Sequence, residues 1–225
     1  MIRFKGVMYD LDGTLLNTLD DIAAAVEFAL AREGLPGHPA EKYNQFIGRG
    51  LDNLVASAAG LSRAEMGQEM ARRLKNRFGE YYADHWADAT VAYPGITAML
   101  ETLAEADIPL WVHSNKPHEF CQSICTHFFP HIPFVAVAGG RAGVPLKPIP
   151  DAALALITAK GLEPASVLMV GDMLPDIELA RRAGMASAGA LWGFFPEEAR
   201  QADHTVSTPQ DVVLLVMGQV SDAAS

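Results

Sequence analysis

Residues 2–14 read IRFKGVMYDLDGT. A short run rich in β-forming residues, Ile2 to Tyr9, breaks into Asp10, Leu11, Asp12, Gly13 and Thr14, so a buried strand is expected to end in a polar turn. Directly afterwards the apolar spacing becomes helical. Ile22, Val26, Ala29 and Leu30 lie on one face of a helix from Thr18 to about Glu33, with Gly34 as its stop. Tyr43 to Ile47 follows, then a Gly48-Arg49-Gly50 break and a segment to Ala59. Ser62 with Glu65 three residues on is a capping-box pattern, opening a long charged helix to about Trp86. Residues 16–86 are thus expected to be helical, with no strand.

After Tyr93-Pro94-Gly95 the pattern alternates. A helix, Ile96 to Ala106, precedes a strand, Leu110 to His113. The helix Pro117–Phe128 leads to a strand from Phe134 to Ala138. Asp151–Lys160 leads to Val167–Val170, and Asp176–Ala183 leads to Ala186–Ala190. Strands alternating with helices of about ten residues imply right-handed βαβ units and a parallel sheet. The fold class is therefore α/β, a Rossmann-like parallel sheet core formed by residues 1–15 and 87–225. A helical cap, residues 16–86, is inserted after the first strand. The tail Val220 to Ser225, small and polar, is expected to fray.

The chain has 225 residues, half of them apolar and a fifth charged, which suits one large domain or a core with an insert. It is too apolar for a disordered chain. Seventeen basic against 27 acidic residues give a net charge of −10, which disfavours nucleic acid and anionic membranes as partners. A local phosphate pocket is compatible with that charge. No apolar run reaches the length of a membrane span, and no signal-peptide core follows the charged N-terminus. Cys121 and Cys125, the only cysteines, lie four apart in an expected helix and read as small buried apolar residues. A reducing, cytoplasmic setting is expected.

In parallel sheets of this kind, ligands sit beyond the carboxyl ends of the strands. Asp10 and Asp12 stand at one such end, and Asp172 and Asp176 at another. Taken singly, the first pair could be a turn and the second a helix cap. Brought together at one edge, four carboxylates would repel and raise each other's pKa values. A hard divalent cation relieves that repulsion, and Mg²⁺ suits carboxylate, water and phosphate oxygens. Ser114 and Asn115 follow another strand just before a helix, a combination able to seat phosphate. Lys147 lies in a proline-bounded loop, Leu146-Lys147-Pro148-Ile149-Pro150, as a fixed point charge for a phosphoryl group.

These segments, Asp10-Leu11-Asp12-Gly13-Thr14, Ser114-Asn115, Lys147-Pro148 and Gly171-Asp172-Met173-Leu174-Pro175-Asp176, resemble the four ordered motifs of the haloacid dehalogenase-like hydrolases. The helical insert is similar to the cap of the phosphoglycolate phosphatase-like branch. The one departure is Met173, where many relatives carry serine. The resemblance implies that Asp10 is a nucleophile forming an aspartyl-phosphate. It implies that Asp12 protonates the leaving oxygen and then activates water. Mg²⁺ would be held by Asp10, the Asp12 carbonyl and Asp172, with Asp176 beside it, and Ser114, Asn115 and Lys147 would bind the phosphate.

The expected activity is Mg²⁺-dependent hydrolysis of a small phosphorylated metabolite, phosphoglycolate first. A phosphosugar mutase or other sugar-phosphate phosphatase is the alternative. Leu19-Asp20-Asp21-Ile22 lacks the histidine found there in mutase-like relatives, which favours hydrolysis. A dehalogenase would not need Asp12, and a non-catalytic binding protein would not need every motif residue intact. In the cap, Arg49 between two glycines is a candidate for pairing with a substrate carboxylate, against a plain solvated turn. Tyr81, Tyr82 and Trp86 read as packing residues of the cap. The oligomeric state is not legible.

Overall fold

The computed structural model describes residues 2–219; the Val220–Ser225 tail lies outside them. The elements in chain order begin with β1 (Gly6–Tyr9), β2 (Leu16–Asn17), α1 (Leu19–Arg32), α2 (Leu51–Ala58), α3 (Arg63–Met66) and α4 (Gln68–His85). Next come β3 (Val91–Ala92), α5 (Ile96–Glu105), β4 (Leu110–Pro117), α6 (His118–Phe128), β5 (Ala136–Gly140) and α7 (Asp151–Ala159). The chain continues through β6 (Val167–Gly171), α8 (Leu174–Ala183), β7 (Ala186–Ala190), α9 (Pro196–Ala199), β8 (His204–Val206) and α10 (Pro209–Val216).

Six parallel strands form one sheet in the order β5-β4-β1-β6-β7-β8. Counted along the chain this is the 3-2-1-4-5-6 order of a doubly wound sheet, whose ligand crevice lies where the winding reverses. Here that is beside β1. Its neighbours β4 and β6 bring Ser114 and Asp172 to the same edge as Asp10 and Asp12.

The sheet is buried on both faces, which explains why its strands read as near-continuous apolar runs. Alternate residues still divide between two cores. Val7, Tyr9, Leu168 and Val170 join the core that extends into the helices of residues 19–85. Met8, Trp111, Val167 and Met169 pack on the other side, under α7 and α8.

Three expectations need correction. Residues 16–86 do contain a strand: β2 pairs antiparallel with β3, Leu16 opposite Ala92 and Asn17 opposite Val91. The two connections between the helical block and the sheet thereby zip together. The Asp21 carboxylate reinforces them, accepting from the N–H groups of Ala89 (2.9 Å) and Thr90 (2.8 Å) and from the Thr90 hydroxyl (2.6 Å). The long charged helix is divided in two at Gly67, whose φ of +69° a right-handed helix cannot continue. The Ser62–Glu65 capping box does form, at the start of the short α3. Finally, β4 runs four residues past His113, to Pro117. Its register with β5 shifts between His113 and Pro117, a bulge of the kind that re-aims side chains near sites.

Cys121 and Cys125 are free and buried in α6. Among the described residues no helix is long and apolar enough to cross a membrane.

Leu168 is fully buried in β6, between β1 and β7. Leu168→Ala should lower the unfolding free energy by about 2–5 kcal/mol, the cost of lost burial plus an unfilled cavity. Val91→Ala, at a strand position 56% exposed, should change it by less than about 0.5 kcal/mol. Urea denaturation of both variants checks the contrast.

Candidate active site

At the carboxyl edge of β1, β4 and β6, seven polar side chains are buried together: Asp10, Asp12, Ser114, Lys116, Lys147, Asp172 and Asp176. One carboxylate oxygen from each of Asp10, Asp172 and Asp176 falls within a span of 4.8 Å. The turn after β1 fixes this gathering. The N–H groups of Leu15 and Leu16 both donate to the Leu11 carbonyl at 3.0 Å, and Gly13 N–H donates to the Leu16 carbonyl at 2.9 Å. Gly13 has φ +82°, and a Cβ there would lie 2.4 Å from Asp172 Oδ2, so the turn can approach Asp172 only as glycine.

Asp172 has no cationic partner among the described residues. It accepts from the Thr14 hydroxyl (3.0 Å) and the Phe194 N–H (2.8 Å). Burial, then the neighbouring Asp176 and Asp10 charges, push its pKa well above the ordinary carboxylate value, against those two hydrogen bonds. Asp176 serves both roles the sequence left open. It accepts from the Met173 N–H at the start of α8 (3.2 Å) and from Lys147 Nζ (2.7 Å). Burial outweighs the lysine and holds its pKa above the usual range.

Lys147 is buried among these carboxylates. Its Nζ lies 2.7 Å from Asp10 Oδ1 and 2.7 Å from Asp176 Oδ1. Burial opposes its charge, but Asp10 and Asp176 overcome that and keep it an ammonium. Asp10 Oδ1 is buried with this ion pair but no hydrogen bond of regular geometry. His113, below the site, is held neutral. Burial, then Lys147, depresses its pKa to about 3.

Asp12 has a different set of partners. Thr18 Oγ1 donates to its Oδ1 at 2.7 Å, and Lys116 Nζ donates to the same oxygen at 2.9 Å. Lys116 was not singled out from the sequence. Its only signal there was adjacency to Ser114-Asn115, and a lysine before a proline reads as surface. Four buried carboxyl groups thus share two buried ammoniums, so with all four ionised two negative charges are left to be balanced. That surplus, the close carboxylate trio and the incompletely satisfied Asp10 Oδ1 fit a divalent cation.

The structure places the remaining candidates as follows. Ser114 is buried on the cavity wall, its Oγ accepting from the Lys116 N–H at 3.3 Å. Asn115 is committed elsewhere: its amide donates to the carbonyls of Gly48 (3.0 Å) and Lys147 (3.2 Å) and accepts from the Lys147 N–H (2.8 Å). Both side-chain donors are used, so Asn115 ties the helical block to the Lys147 loop and has no amide hydrogen left for phosphate. Arg49 is exposed and lines outer clefts rather than the small cavity bordered by Asp10 and Asp12. Its flanking glycines serve close packing, since a Cβ on Gly48 would overlap Met173 Sδ and one on Gly50 would meet Leu146. Met173, the departure from the motif, therefore seats the helical block. Tyr82 does more than pack, because it also lines the cavity.

Comparison with known proteins agrees with this geometry. The family model of the haloacid dehalogenase-like hydrolases matches residues 7–190, and the chain belongs to that family. It is an enzyme, a phosphatase within that family. Among named relatives, the phosphoglycolate phosphatase of Pasteurella multocida is 37% identical over 198 residues, covering 86% of this chain and 88% of its own. That of Aquifex aeolicus is 31% identical over 214 residues, covering 93% and 95%. Among solved structures, a predicted phosphoglycolate phosphatase from Haemophilus somnus superposes with a TM-score of 0.85 at 30% identity, covering 95% of this chain and 98% of that one.

The raised Asp172 pKa carries a sign. In metal-free protein, Asp172 binds its proton more tightly folded than unfolded. Its contribution to stability is full below about pH 4 and is lost as pH rises through its raised folded pKa. In chelator, the melting temperature should therefore fall as pH rises above about 4, and Asp172→Asn should flatten that fall. Added Mg²⁺ should raise the melting temperature more at the alkaline end. Thermal melts across a pH series, with and without Mg²⁺, test all three.

Proposed function

We propose that this phosphatase depends on Mg²⁺ and hydrolyses a small carboxylated phosphate monoester, phosphoglycolate first, through an aspartyl-phosphate on Asp10. The observation that carries the reading is the trio Asp10, Asp172 and Asp176, buried within 4.8 Å at the sheet's ligand edge. The relatives' named activity supports the substrate.

Asp10 and Asp172 would hold the cation with the Asp12 carbonyl, Asp176 standing next to them. Bound there, Mg²⁺ supplies positive charge that offsets repulsion between a carboxylate nucleophile and a phosphate dianion. Lys147 adds a fixed charge from the other side, and Ser114 offers a hydroxyl to a phosphoryl oxygen. An Asp10 carboxylate oxygen forms the new bond to phosphorus as the ester oxygen leaves. Asp12, in its acid form, gives that oxygen its proton. Asp12 then takes a proton from water as the water oxygen attacks phosphorus. The bond to Asp10 breaks, and inorganic phosphate leaves.

Residues 16–86 act as a cap in this reading. Asn115 and Met173 hold the Gly48–Gly50 turn down over the site, and the wall so formed excludes water.

Three outcomes follow. Asp10→Asn should lose about 10³-fold or more in turnover, since an amide is a poor nucleophile. Asp12→Asn should lose roughly 10²–10⁴-fold on alkyl phosphates. With an aryl phosphate, whose leaving group needs no proton, it should give a burst of phenol matching the enzyme and then stall. Stopped-flow assay of p-nitrophenyl phosphate reads that burst. In excess chelator, hydrolysis of phosphoglycolate should vanish and return with Mg²⁺. Turnover undiminished by chelator would remove the metal from the mechanism.

A further inference from the structure

Between the sheet edge and the helical block lies a cavity of about 40 Å³, bordered by Asp10, Asp12 and Ser114 at its base. A single water needs roughly 10–15 Å³ by the same measure, so the space suits a group of about three heavy atoms. Its far walls are apolar, including Ile22, Ile47, Leu54, Phe78 and Phe120. Any charged group entering would lose its water there. The compensation must come from polar atoms on the wall.

Two such atoms stand out. Lys116 is 7% exposed and supplies the only cation on the cavity among the described residues. Its ammonium has three N–H donors. One is used on Asp12 Oδ1, and the group lies 4.7 Å from the centroid of the Tyr82 ring. Tyr82 is fully buried on α4, and its hydroxyl, which lies beside the Lys116 ammonium, has no acceptor for its own proton. Leaving the proton of a buried hydroxyl without an acceptor is costly, so its retention on a cavity wall calls for a reason. Burial pushes its pKa to about 12, so it stays a neutral donor. One residue comes from the sheet and the other from the helical block, so the pair exists only when the two are packed together.

We infer that Lys116 and the Tyr82 hydroxyl form a carboxylate-binding subsite, which receives the acid end of the leaving group while Asp10 engages the phosphorus. The inference rests on the phosphoglycolate reading for its substrate and goes beyond it in assigning the recognition. It also moves substrate selection from Arg49, exposed outside the cavity, to a lysine within it. A neutral leaving group would fill the same space with no charge for the ammonium and at most one acceptor oxygen for the two donors, and sites built around hydrogen bonds discriminate on that ground.

The test compares kcat/KM for 2-phosphoglycolate and for 2-hydroxyethyl phosphate, which differ only at the end that meets this subsite. Wild-type enzyme should favour phosphoglycolate. Lys116→Met keeps most of the apolar stem and removes the charge. It also deprives Asp12 of a partner, so both substrates slow and the ratio is the readout. That ratio should fall about 10–100-fold, the scale of a hydrogen bond to a charged group. Tyr82→Phe keeps the ring and should lower the ratio about 10-fold, since a hydroxyl donating to a carboxylate is also charge-assisted. If Lys116→Met does not fold, Tyr82→Phe decides. A high wild-type ratio that survives in the folded variants overturns the subsite and leaves the phosphoglycolate reading standing. A wild-type ratio near one overturns both.

Discussion

Four carboxylates buried at one end of a sheet are a liability that the rest of the architecture must manage. Asp10, Asp12, Asp172 and Asp176 all lose most of their water, and like charges in a low-dielectric setting repel strongly. Two lysines answer this from opposite sides. Lys147 bridges Asp10 and Asp176, and Lys116 holds Asp12. Asp172 is left with neutral donors only, from Thr14 and Phe194. The remaining charge imbalance is what the divalent cation of the proposed reaction would relieve.

The same constraint shapes the backbone. Carboxylates can converge only if the turn after β1 comes close to Asp172, and Gly13 permits that approach. Lys147 must be buried, so its loop is tied to β4 by Asn115, whose side chain bonds the Lys147 backbone at both N–H and carbonyl. Asn115 also reaches Gly48 in the helical block. One amide therefore couples the position of the lysine to the packing of the helices over the site. Gly48 against Met173 and Gly50 against Leu146 complete that contact. The paired strands β2 and β3, with Asp21 across them, define where the block joins the sheet.

Much of this was legible along the chain. β-forming runs punctuated by helices of about ten residues specify a parallel sheet, because each strand must be returned to the same edge by a crossover. The polar residues at strand ends then fall together whatever the details of packing. The bounds that slipped have local causes. A glycine at positive φ divides α3 from α4. A register shift lengthens β4 past His113. Two-residue strands such as β2 and β3 are too short for any periodicity to reveal, and their pairing depends on a partner far along the chain, Leu16 with Ala92 and Asn17 with Val91.

The sequence alone determined the alternation of elements, the insertion of helices after the first strand and the carboxylates, serine and lysine that meet at the sheet edge. These depend on local pattern and on strand ends, which connectivity fixes. Tertiary structure decided which charges pair, that the Asn115 side chain ties the helical block to the Lys147 loop, and that Arg49 faces outward. It also decided that Lys116 is buried against Asp12 and Tyr82, a contact between residues 34 apart on different layers. The physical reason is that a polar side chain's role follows from its desolvation and its partners, and neither exists until the helical block is packed against the sheet.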